Sequence, residues 1–371
     1  MELQIEERTF LKKVDLNLVF VVIALNIIGL INLYSATHDP QTVGIHRLFA
    51  MQIFWVGVGW LIFFAMTILD YKVLTKLSYI FYTLNLGFLV LVKLFGNRAL
   101  GAQRWLDLGF FKYQPSETMK IVLVILLSKI LAEKNTIQGL GIKGLIYPLF
   151  LTLIPFILTA IQPDLGTSMM LMIISASMLL FVGINKKILV TVGLAVVLLI
   201  PLAWSFALHD YQKNRILTFL DPNRDPRGAG YNSIQSKIAV GSGKFLGKGF
   251  RKGTQSQLDF LPERHTDFIY SVLSEEHGFI GSFTVLSLFI ILTLIGLKVA
   301  TQAPDKYGAL LVIGSLALIF WHMFINIGMV IGILPIVGIP LPILSYGGSG
   351  MITSFLALGI ISSVAARRYI F

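Results

Sequence analysis

The chain has 371 residues, of which 56% are hydrophobic and 13% are charged, and its mean hydropathy is +0.80. This apolar content excludes a soluble globular domain and indicates a membrane protein that crosses the bilayer several times. The formal net charge is +11, and the absence of cysteine excludes disulfides, cysteine nucleophiles and cysteine metal sites.

Apolar runs of roughly 17 to 25 residues, the length that crosses a bilayer, recur along the whole chain. We predict an all-α integral membrane protein in a single domain, residues 1–371, with ten membrane helices. The predicted spans are about 15–35, 51–69, 77–96, 117–132, 145–161, 166–183, 187–207, 268–298, 308–333 and 350–366. The first span is too long for the apolar region of a signal peptide, and no small-residue cleavage site follows it.

The distribution of Lys and Arg predicts that both termini are cytoplasmic. The short outer segments then carry five basic residues: Arg47, Lys93, Arg98, Arg104 and Lys112. The inner segments carry fourteen: Arg8, Lys12, Lys13, Lys72, Lys76, Lys129, Lys134, Lys143, Lys186, Lys187, Lys298, Lys306, Arg367 and Arg368. Segment 208–265, between the seventh and eighth spans, becomes a large extracytoplasmic loop with ten basic and five acidic residues. Its length is near the limit beyond which loop charge no longer sets orientation.

A polar stretch at 96–120 separates the third and fourth spans. Trp105 is placed to lie at the membrane interface, and Ser116 is predicted to cap the helix that begins at Glu117. Lys120 follows Glu117 by three positions, so their side chains share a helix face about one turn inside the membrane. A charge at that depth usually faces a partner or an aqueous cavity. A structural ion pair, or snorkelling of Lys120, would also explain the pattern.

The short connection 160–168 joins the fifth and sixth spans on the outer side. Asp164 follows Pro163 at the predicted start of the sixth span, where the helix dipole favours a carboxylate. Acids are common at helix starts. The position therefore favours a helix cap over a catalytic acid.

The basic loop suggests an anionic partner such as phosphate, and attraction of a solvated loop to anionic lipid headgroups would explain the same charge. Within it, Ile234 and Ile238 lie four residues apart and predict a short amphipathic helix on the membrane surface. The glycine-rich stretch 241–256 resembles a flexible phosphate-contacting strip. It lacks the residue order of a Walker loop, and a flexible linker would suit it equally.

Two features mark the last three spans. Asp267 places an acid where the basic loop meets the eighth span. Segment 332–350 carries three prolines and a Gly-Gly pair at membrane depth. Such broken backbone is tolerated only when it is buried in protein or lines a wet cavity, so we expect a substrate chamber on the outer side. An ordinary interhelical loop is the alternative.

Five stretches together resemble the signature blocks of the SEDS family (shape, elongation, division and sporulation). In the family's order they are GAQRWLDLGFFKYQPSETMK, QPDLGTS, LDPNRDPRGAGYNSIQSKIAVGSG, GTQSQLDFLPERHTDFIYSVLSEEHG and NIGMVIGILPIVGIPLPILSYGGSG. The LPERHTDFI form and the short N-terminus resemble the rod-elongation branch of the family more than its division branch.

This resemblance implies a peptidoglycan glycosyltransferase of the bacterial inner membrane that polymerises lipid II on the outer face during cell elongation and rod-shape maintenance. It also implies ten membrane helices. The implied partners are lipid II, a class B penicillin-binding protein as transpeptidase and other membrane proteins of the elongation complex, with no role for nucleic acid.

The family's motif residues fall on matching positions of this chain, and the charges of the loops add further candidates. Four residues are assigned to catalysis: Asp267, Glu117, Lys120 and Asp164. Seven are assigned to substrate binding: Arg104, Trp105, Lys112, Gln212, Arg215, Arg264 and His265.

The implied reaction joins the C4 hydroxyl of one sugar to the anomeric carbon of another, and undecaprenyl diphosphate leaves. A sugar hydroxyl is a weak nucleophile, so we predict Asp267 as the general base, with Glu117 and Asp164 shaping and charging the cavity. One base without a nucleophilic carboxylate predicts inversion at the anomeric centre.

Negative charge on the departing diphosphate needs Lys and Arg, a divalent cation (Mg²⁺ or Mn²⁺), or both. The six histidines lack HxxH and HxxxH spacing, which argues against zinc, and no organic cofactor is expected.

Two other functions fit the same residues. Many spans, intramembrane charges and proline-broken helices also describe a lipid II flippase or another transporter. Such a carrier needs access from both faces, whereas the polar motifs here cluster on one face. A non-catalytic scaffold of the cell-wall machinery is the third possibility, and it predicts that the outer acids are dispensable.

Overall fold

The computed structural model describes residues 14–38, 46–99, 102–107, 109, 112–134, 139–202, 204–205, 210–226, 228–258 and 260–368. In chain order the helices of this part are α1 (Leu16–Ala36), α2 (Arg47–Ile68), α3 (Tyr71–Phe95), α4 (Pro115–Ala132), α5 (Ile142–Ile161), α6 (Leu165–Val182), α7 (Lys186–Leu202), α8 (Asp210–Leu220), α9 (Ala229–Ser242), α10 (Thr254–Gln257), α11 (Ile269–Thr301), α12 (Lys306–Val330) and α13 (Gly348–Arg367). All except α8, α9 and α10 are long, between 17 and 33 residues.

Within the described ranges, eight helices are long and apolar enough to cross a membrane: α1, α2, α3, α5, α6, α11, α12 and α13. The chain is therefore a multi-pass membrane protein. Helices α4 and α7 occupy the places of the fourth and seventh predicted spans. Helix α4 carries three charged side chains, Glu117, Lys120 and Lys129, and α7 has 17 residues. The count of ten spans stays a prediction.

A small antiparallel sheet departs from the all-α prediction. Its strands are β1 (Asn97–Ala99), β2 (Ala102–Asp107) and β3 (Lys112–Tyr113), paired in the order β1-β2-β3. They lie in the polar stretch between the third and fourth predicted spans. Strands of two to six residues are too short for a clear alternation of apolar and polar positions, so the sequence pattern does not reveal them.

Two helices begin four and six residues earlier than hydropathy predicts, because capping side chains start them in stretches that still contain polar residues. Helix α2 begins at Arg47, where His46 Nδ1 accepts the N–H of Leu48 at 3.2 Å. Helix α3 begins at Tyr71, and the side chain of Asp70 caps it. The first turns of both helices include polar residues, which delay a purely hydropathic start.

The predicted cap of α4 is wrong. Gln114 is the N-cap and Pro115 is the first helical residue, so Ser116 lies within the helix. Proline suits this first position because it has no N–H to leave unpaired. Ser116 Oγ instead accepts a hydrogen bond from Gln114 Nε2 at 3.2 Å.

Helices α4, α12 and α13 form the most buried part of the bundle. Their neighbours approach closely at glycines: a Cβ at Gly314 would lie 2.5 Å from Val124, and one at Gly296 would lie 2.4 Å from Leu316. Small residues at such contacts allow membrane helices to pack closely. Helix α7, by contrast, exposes nearly all of its described side chains.

The described parts of segment 208–265, the predicted large loop, pack onto the bundle. The stretch with Ile234 and Ile238 forms helix α9, as predicted, and α9 packs against α11. Ser236 Oγ also donates to Val330 O of α12 at 2.6 Å. The helix is confirmed, whereas its predicted position on the membrane surface stays a prediction.

Residues 243–253, called the glycine strip here, are also anchored. Helix α11 is interrupted at Gly278, where φ is 62° and ψ is −155°. Just after this kink, the N–H of Phe279 donates to Lys244 O of the strip at 2.9 Å. A Cβ at Gly278 would lie 2.3 Å from a backbone nitrogen of the strip, so only glycine fits. The prediction that this stretch is flexible is therefore wrong.

Glu275, fully buried just before the kink, holds the far end of the strip. Its Oε1 accepts hydrogen bonds from Lys248 Nζ at 2.7 Å and from the backbone N–H groups of Thr254 and Gln255 at 2.8 and 3.0 Å. Its Oε2 accepts the N–H of Ser256 at 3.3 Å. The Lys248 ammonium is thus engaged within the protein, and the carboxylate also caps α10.

Glu275→Gln is expected to loosen the glycine strip while the membrane bundle stays folded. Glutamine removes the charge from the four hydrogen bonds that Glu275 accepts, and hydrogen bonds to a charged group contribute about 1.5–3 kcal/mol each, so the loss falls on the strip and α10. Trypsin should therefore cleave at the strip's Lys and Arg residues more than tenfold faster than in the wild type. Glu133→Gln, at an exposed carboxylate, is the matched control. Equal cleavage rates in all three proteins would contradict this role of Glu275.

Candidate active site

A cavity of about 820 Å³ brings the polar stretches of the sequence together. Residues of α2, β2, β3, α4, α6, α8, α12 and α13 form its wall with the loop before α11 and segment 337–347. Of the described residues, four acids line it: Glu117, Asp164, Glu263 and Asp267. Four Lys and Arg side chains line it as well: Arg47, Arg104, Lys112 and Arg215. An anionic ligand that carries hydroxyl groups would meet both cations and proton acceptors there.

The predicted site residues fall into three groups. Those that line the cavity are Asp267, Glu117, Asp164, Arg104, Trp105, Lys112 and Arg215. Lys120 is fully buried behind the wall. Three predicted substrate-binding residues are not part of the lining: Gln212, Arg264 and His265.

Two of these three residues are buried or hydrogen-bonded within the protein. Gln212 is buried in α8. Arg264 Nε donates to Ala36 O at the end of α1, at 2.7 Å. The structure thus gives Arg264 a place in the packing of the loop against α1.

The backbone around Asp267 is held by buried side chains of α12 and of the proline-broken segment that follows it. Asn326 Nδ2 donates to Asp267 O and to Ile339 O, both at 2.8 Å. Ser345 Oγ donates to Thr266 O at 2.7 Å. Since Ile339 and Ser345 belong to the proline-broken segment, this segment and the Asp267 loop are fixed together. The broken segment thus lines a cavity, as predicted, whereas the position of this cavity on the outer side and its use for substrate stay predictions.

Asp267 combines cavity access with a raised pKa. A Cβ at Gly338 would lie 3.4 Å from Asp267 Oδ2, so the backbone of the proline-broken segment passes close to the carboxylate. Burial raises the pKa of Asp267 to about 6, and the negative charge of Glu263 adds to the rise. Arg104 and Arg215 oppose it. A carboxylate with a pKa near 6 is mostly ionised at neutral pH and is a stronger proton acceptor than an ordinary aspartate.

Asp164 is both a helix cap and a cavity acid. Its Oδ1 accepts the N–H of Thr167 at 3.3 Å, which confirms the predicted cap of α6. Its Oδ2 accepts Gln114 Nε2 at 3.1 Å, and Arg104 NH1 lies 3.7 Å from Oδ1. Arg104 also donates to Pro163 O. Asp164 therefore ties the β2 arginine to the start of α6 on one side of the cavity.

Glu117, Lys120 and His322 form a buried hydrogen-bonded group that we call the triad. Lys120 Nζ lies 2.6 Å from Glu117 Oε1 and 2.7 Å from His322 Nε2. The predicted pairing of Glu117 with Lys120 on one face of the fourth span is confirmed. Snorkelling of Lys120 is excluded because its side chain is fully buried.

Sequence reasoning missed His322, Gln114, Arg47 and Glu263 in the cavity. A signal for the first was present: His322 and Asn326 lie four residues apart in an otherwise apolar span, so they share a helix face. Polar side chains in a membrane helix usually face the bundle interior or a cavity. Arg47 and Glu263 lie in polar flanks, where nothing distinguishes a site residue from a solvated one.

Among the described residues, no group of three or more His, Cys, Asp or Glu side chains is placed to hold a metal ion. Mg²⁺ commonly takes one or two protein carboxylates and completes its shell with water and phosphate oxygens. The cavity acids fit this smaller role, in which a diphosphate would supply most of the other ligands.

The chain is similar in sequence to proteins of known function along almost its whole length. A family described as cell cycle proteins, FtsW/RodA/SpoVE, matches residues 15–370. The peptidoglycan glycosyltransferase MrdB of Escherichia coli (strain K12) is 40% identical over 367 residues, covering 98% of this chain and 96% of MrdB. Stage V sporulation protein E of Bacillus subtilis (strain 168) is 35% identical over 356 residues, covering 95% of this chain and 96% of that protein.

Two solved structures share the fold. One comes from work on the structural coordination of polymerization and crosslinking by a peptidoglycan synthase complex, with a TM-score of 0.83 and 31% identity. The other is a crystal structure of the rod shape determining protein RodA of Thermus thermophilus, with a TM-score of 0.71 and 28% identity. Each alignment covers 96% of this chain and 98% of the matched chain.

Proposed function

This chain belongs to the FtsW/RodA/SpoVE family of cell cycle proteins, and we propose that it is a peptidoglycan glycosyltransferase that polymerises lipid II with Asp267 as general base. Relatives that carry the glycosyltransferase name match most or all of its length. The observation that carries the proposal is the position of Asp267 in a cavity also lined by Arg104, Lys112 and Arg215. A proton acceptor and cations in one cavity suit a hydroxyl nucleophile and a diphosphate leaving group.

The rod-elongation branch fits this chain best. The SEDS resemblance of the sequence is confirmed by the family match, and its likeness to RodA by the MrdB and RodA relatives. We therefore assign the protein to cell-wall synthesis during elongation and rod-shape maintenance.

In the reaction, the C4 hydroxyl oxygen of a GlcNAc attacks the anomeric carbon of a MurNAc on a second lipid-linked chain. The bond from that carbon to the diphosphate oxygen breaks, and undecaprenyl diphosphate leaves with its electron pair. Asp267 accepts the hydroxyl proton, which typically contributes about 10²- to 10⁴-fold to the rate. Direct displacement inverts the anomeric centre, so an α-linked donor gives a β-linked product.

Charge on the departing diphosphate is balanced by the cations of the cavity wall. Arg104, Lys112 and Arg215 line the cavity itself, and Lys120 lies behind it. A divalent cation, Mg²⁺ or Mn²⁺, would be held by the phosphates and by one or two of the cavity acids, and would supply further positive charge. In this assignment Glu117 and Asp164 shape and charge the cavity and do not transfer protons.

We place the protein in the bacterial inner membrane with ten spans, both termini in the cytoplasm and the cavity open to the outside. The excess of Lys and Arg in the inner segments supports this orientation. A class B penicillin-binding protein is the proposed crosslinking partner, together with other membrane proteins of the elongation complex. The similarity to a chain from a complex that coordinates polymerization with crosslinking supports such a partner.

The decisive test is a polymerisation assay with purified protein in proteoliposomes and lipid II, with and without chelator and partner transpeptidase. The proposal predicts β-linked glycan strands made without net movement of lipid across the bilayer. Movement of labelled lipid II without polymer would favour the flippase. Absence of both activities, with restored wall synthesis in cells, would favour the scaffold.

The fall in activity on the acid side of the pH–rate profile, its acid limb, should report the protonation of Asp267. Protonated Asp267 cannot accept the hydroxyl proton, so kcat/KM should fall about tenfold per pH unit below the pKa of about 6. Glu263→Gln removes a negative neighbour that raises this pKa and should move the limb to lower pH. A profile without an acid limb near pH 6, or one that Glu263→Gln leaves in place, would contradict the assignment.

A further inference from the structure

The triad contains one member, His322, to which the proposed chemistry has given no role. Its ring belongs to α12, while Glu117 and Lys120 belong to α4, so the group joins two of the most buried helices. Glu117 and His322 both line the cavity, and the Lys120 ammonium lies directly behind them.

The hydrogen bonds of the triad determine which imidazole nitrogen carries the proton. His322 Nδ1 lies 2.7 Å from Leu318 O, and a carbonyl oxygen only accepts, so Nδ1 carries the hydrogen. Lys120 Nζ lies 2.7 Å from His322 Nε2, and an ammonium only donates, so Nε2 offers its lone pair. Both nitrogens of a neutral His322 imidazole therefore form hydrogen bonds, Nδ1 as the donor and Nε2 as the acceptor. A charged imidazolium would place a second cation against the Lys120 ammonium.

A neutral acceptor at this point has a consequence for the cavity charge. Glu117 and Lys120 together are neutral, and a second carboxylate in place of His322 would make the group negative beside a diphosphate. A lysine ammonium on its flexible four-carbon stem needs more than one partner to hold it in place. An imidazole from another helix supplies that second partner without adding a negative charge to the group.

We propose that His322 is a positioning residue for glycosyl transfer, which fixes the Lys120 ammonium behind the cavity wall so that its field stabilises the departing diphosphate. This inference rests on the proposed function. A fixed cation in a buried site stabilises developing negative charge without reorganising, whereas a mobile one must first be oriented. A displacement of about 1 Å in such a group can lower the rate about 100-fold.

Two amide substitutions separate the two hydrogen bonds of the ring. His322→Gln places an amide near the position of Nε2 and retains an acceptor for Lys120. His322→Asn places its amide near the position of Nδ1, so it retains the donor to Leu318 O and loses the acceptor. Positioning of Lys120 predicts that His322→Asn lowers kcat about 100-fold with little change in KM, and that His322→Gln stays within about threefold of the wild type. A purely structural role in α12 predicts the reverse order.

A second measurement tests whether His322 acts through Lys120. In a Lys120→Met background, adding His322→Asn should change kcat less than about twofold, because its partner is already gone. A further loss equal to that in the wild-type background would overturn the inference, as would the reverse order of the amide variants. Ser315→Ala, another buried polar position of α12, is the control for folding, followed by thermal unfolding in detergent.

Failure of this inference is distinguishable from failure of the proposed function. If the wild type makes no polymer from lipid II, the proposed function is contradicted. If the wild type is active and His322→Asn does not fold, His322→Gln decides alone: a loss as large as that of Lys120→Met overturns the role of His322, and retained kcat supports it.

Discussion

Asp267→Asn is expected to abolish polymerisation of lipid II by the purified protein. Asparagine has nearly the same shape but cannot accept the hydroxyl proton, and loss of a general base costs about 10²- to 10⁴-fold in rate. The backbone contact that fixes this position, from Asn326 Nδ2 to Asp267 O, does not involve the side chain and should survive. Polymer formed from lipid II, measured per molecule of folded protein, is the readout.

Asp221→Asn is the matched control for this variant. Asp221 lies in the same large loop, its side chain is exposed, and it pairs with Arg224 on the surface. It should retain wild-type activity, and both variants should unfold at temperatures close to that of the wild type. Retained activity in folded Asp267→Asn protein would remove Asp267 from the role of base and strengthen the scaffold alternative.

Lys120→Met is expected to reduce kcat by up to about 10²- to 10³-fold, where the upper end is the effect of removing a donor in direct contact with a developing anion, because Lys120 acts from behind the cavity wall. Methionine keeps much of the apolar bulk of the side chain and removes the charge. The prediction follows from the full burial of Lys120 between two cavity-lining residues, Glu117 and His322. Steady-state polymerisation rates at saturating lipid II measure it.

A loss of folding must be separated from this loss of chemistry. Removing Lys120 leaves Glu117 buried without its partner, which is strongly destabilising for an ionised group. The double variant Lys120→Met/Glu117→Gln removes both charges and should recover thermal stability without recovering kcat. Lys129→Met, in the same helix near its other end, is the control with near wild-type activity. Recovery of kcat in the double variant would contradict a charge-stabilising role.

Hydropathy and short motifs were sufficient to predict that the chain is a membrane protein and to identify most residues of the candidate site. Each apolar run is long compared with a helical turn, so the spans are visible without knowing which helices touch. Asp267, Asp164 and Glu117 were visible because acids beside or within apolar spans are costly and therefore informative. The family resemblance indicated that these three acids belong to one active site, which the spacing of the residues alone did not indicate.

The glycine strip illustrates where local pattern misleads. Glycines and lysines together suggested a flexible segment, yet the kink at Gly278 frees backbone groups of α11 that the strip satisfies. The partner of Lys248 is Glu275, 27 positions away in the chain, and no local periodicity links them. The same holds for Arg264, whose charge suggested substrate binding but whose Nε hydrogen bond goes to α1.

The sequence alone thus determined that this is a multi-pass membrane protein and where most of its helices run. It also indicated which acids are candidates for a functional role. All three conclusions follow from the local free-energy cost of placing polar groups in lipid. Tertiary structure alone decided that His322 meets Lys120 across 202 positions and that Asp267, Asp164 and Glu117 share one cavity. These contacts depend on how helices that are distant in the chain pack against each other. That packing is set by the whole bundle and cannot be read from any one segment.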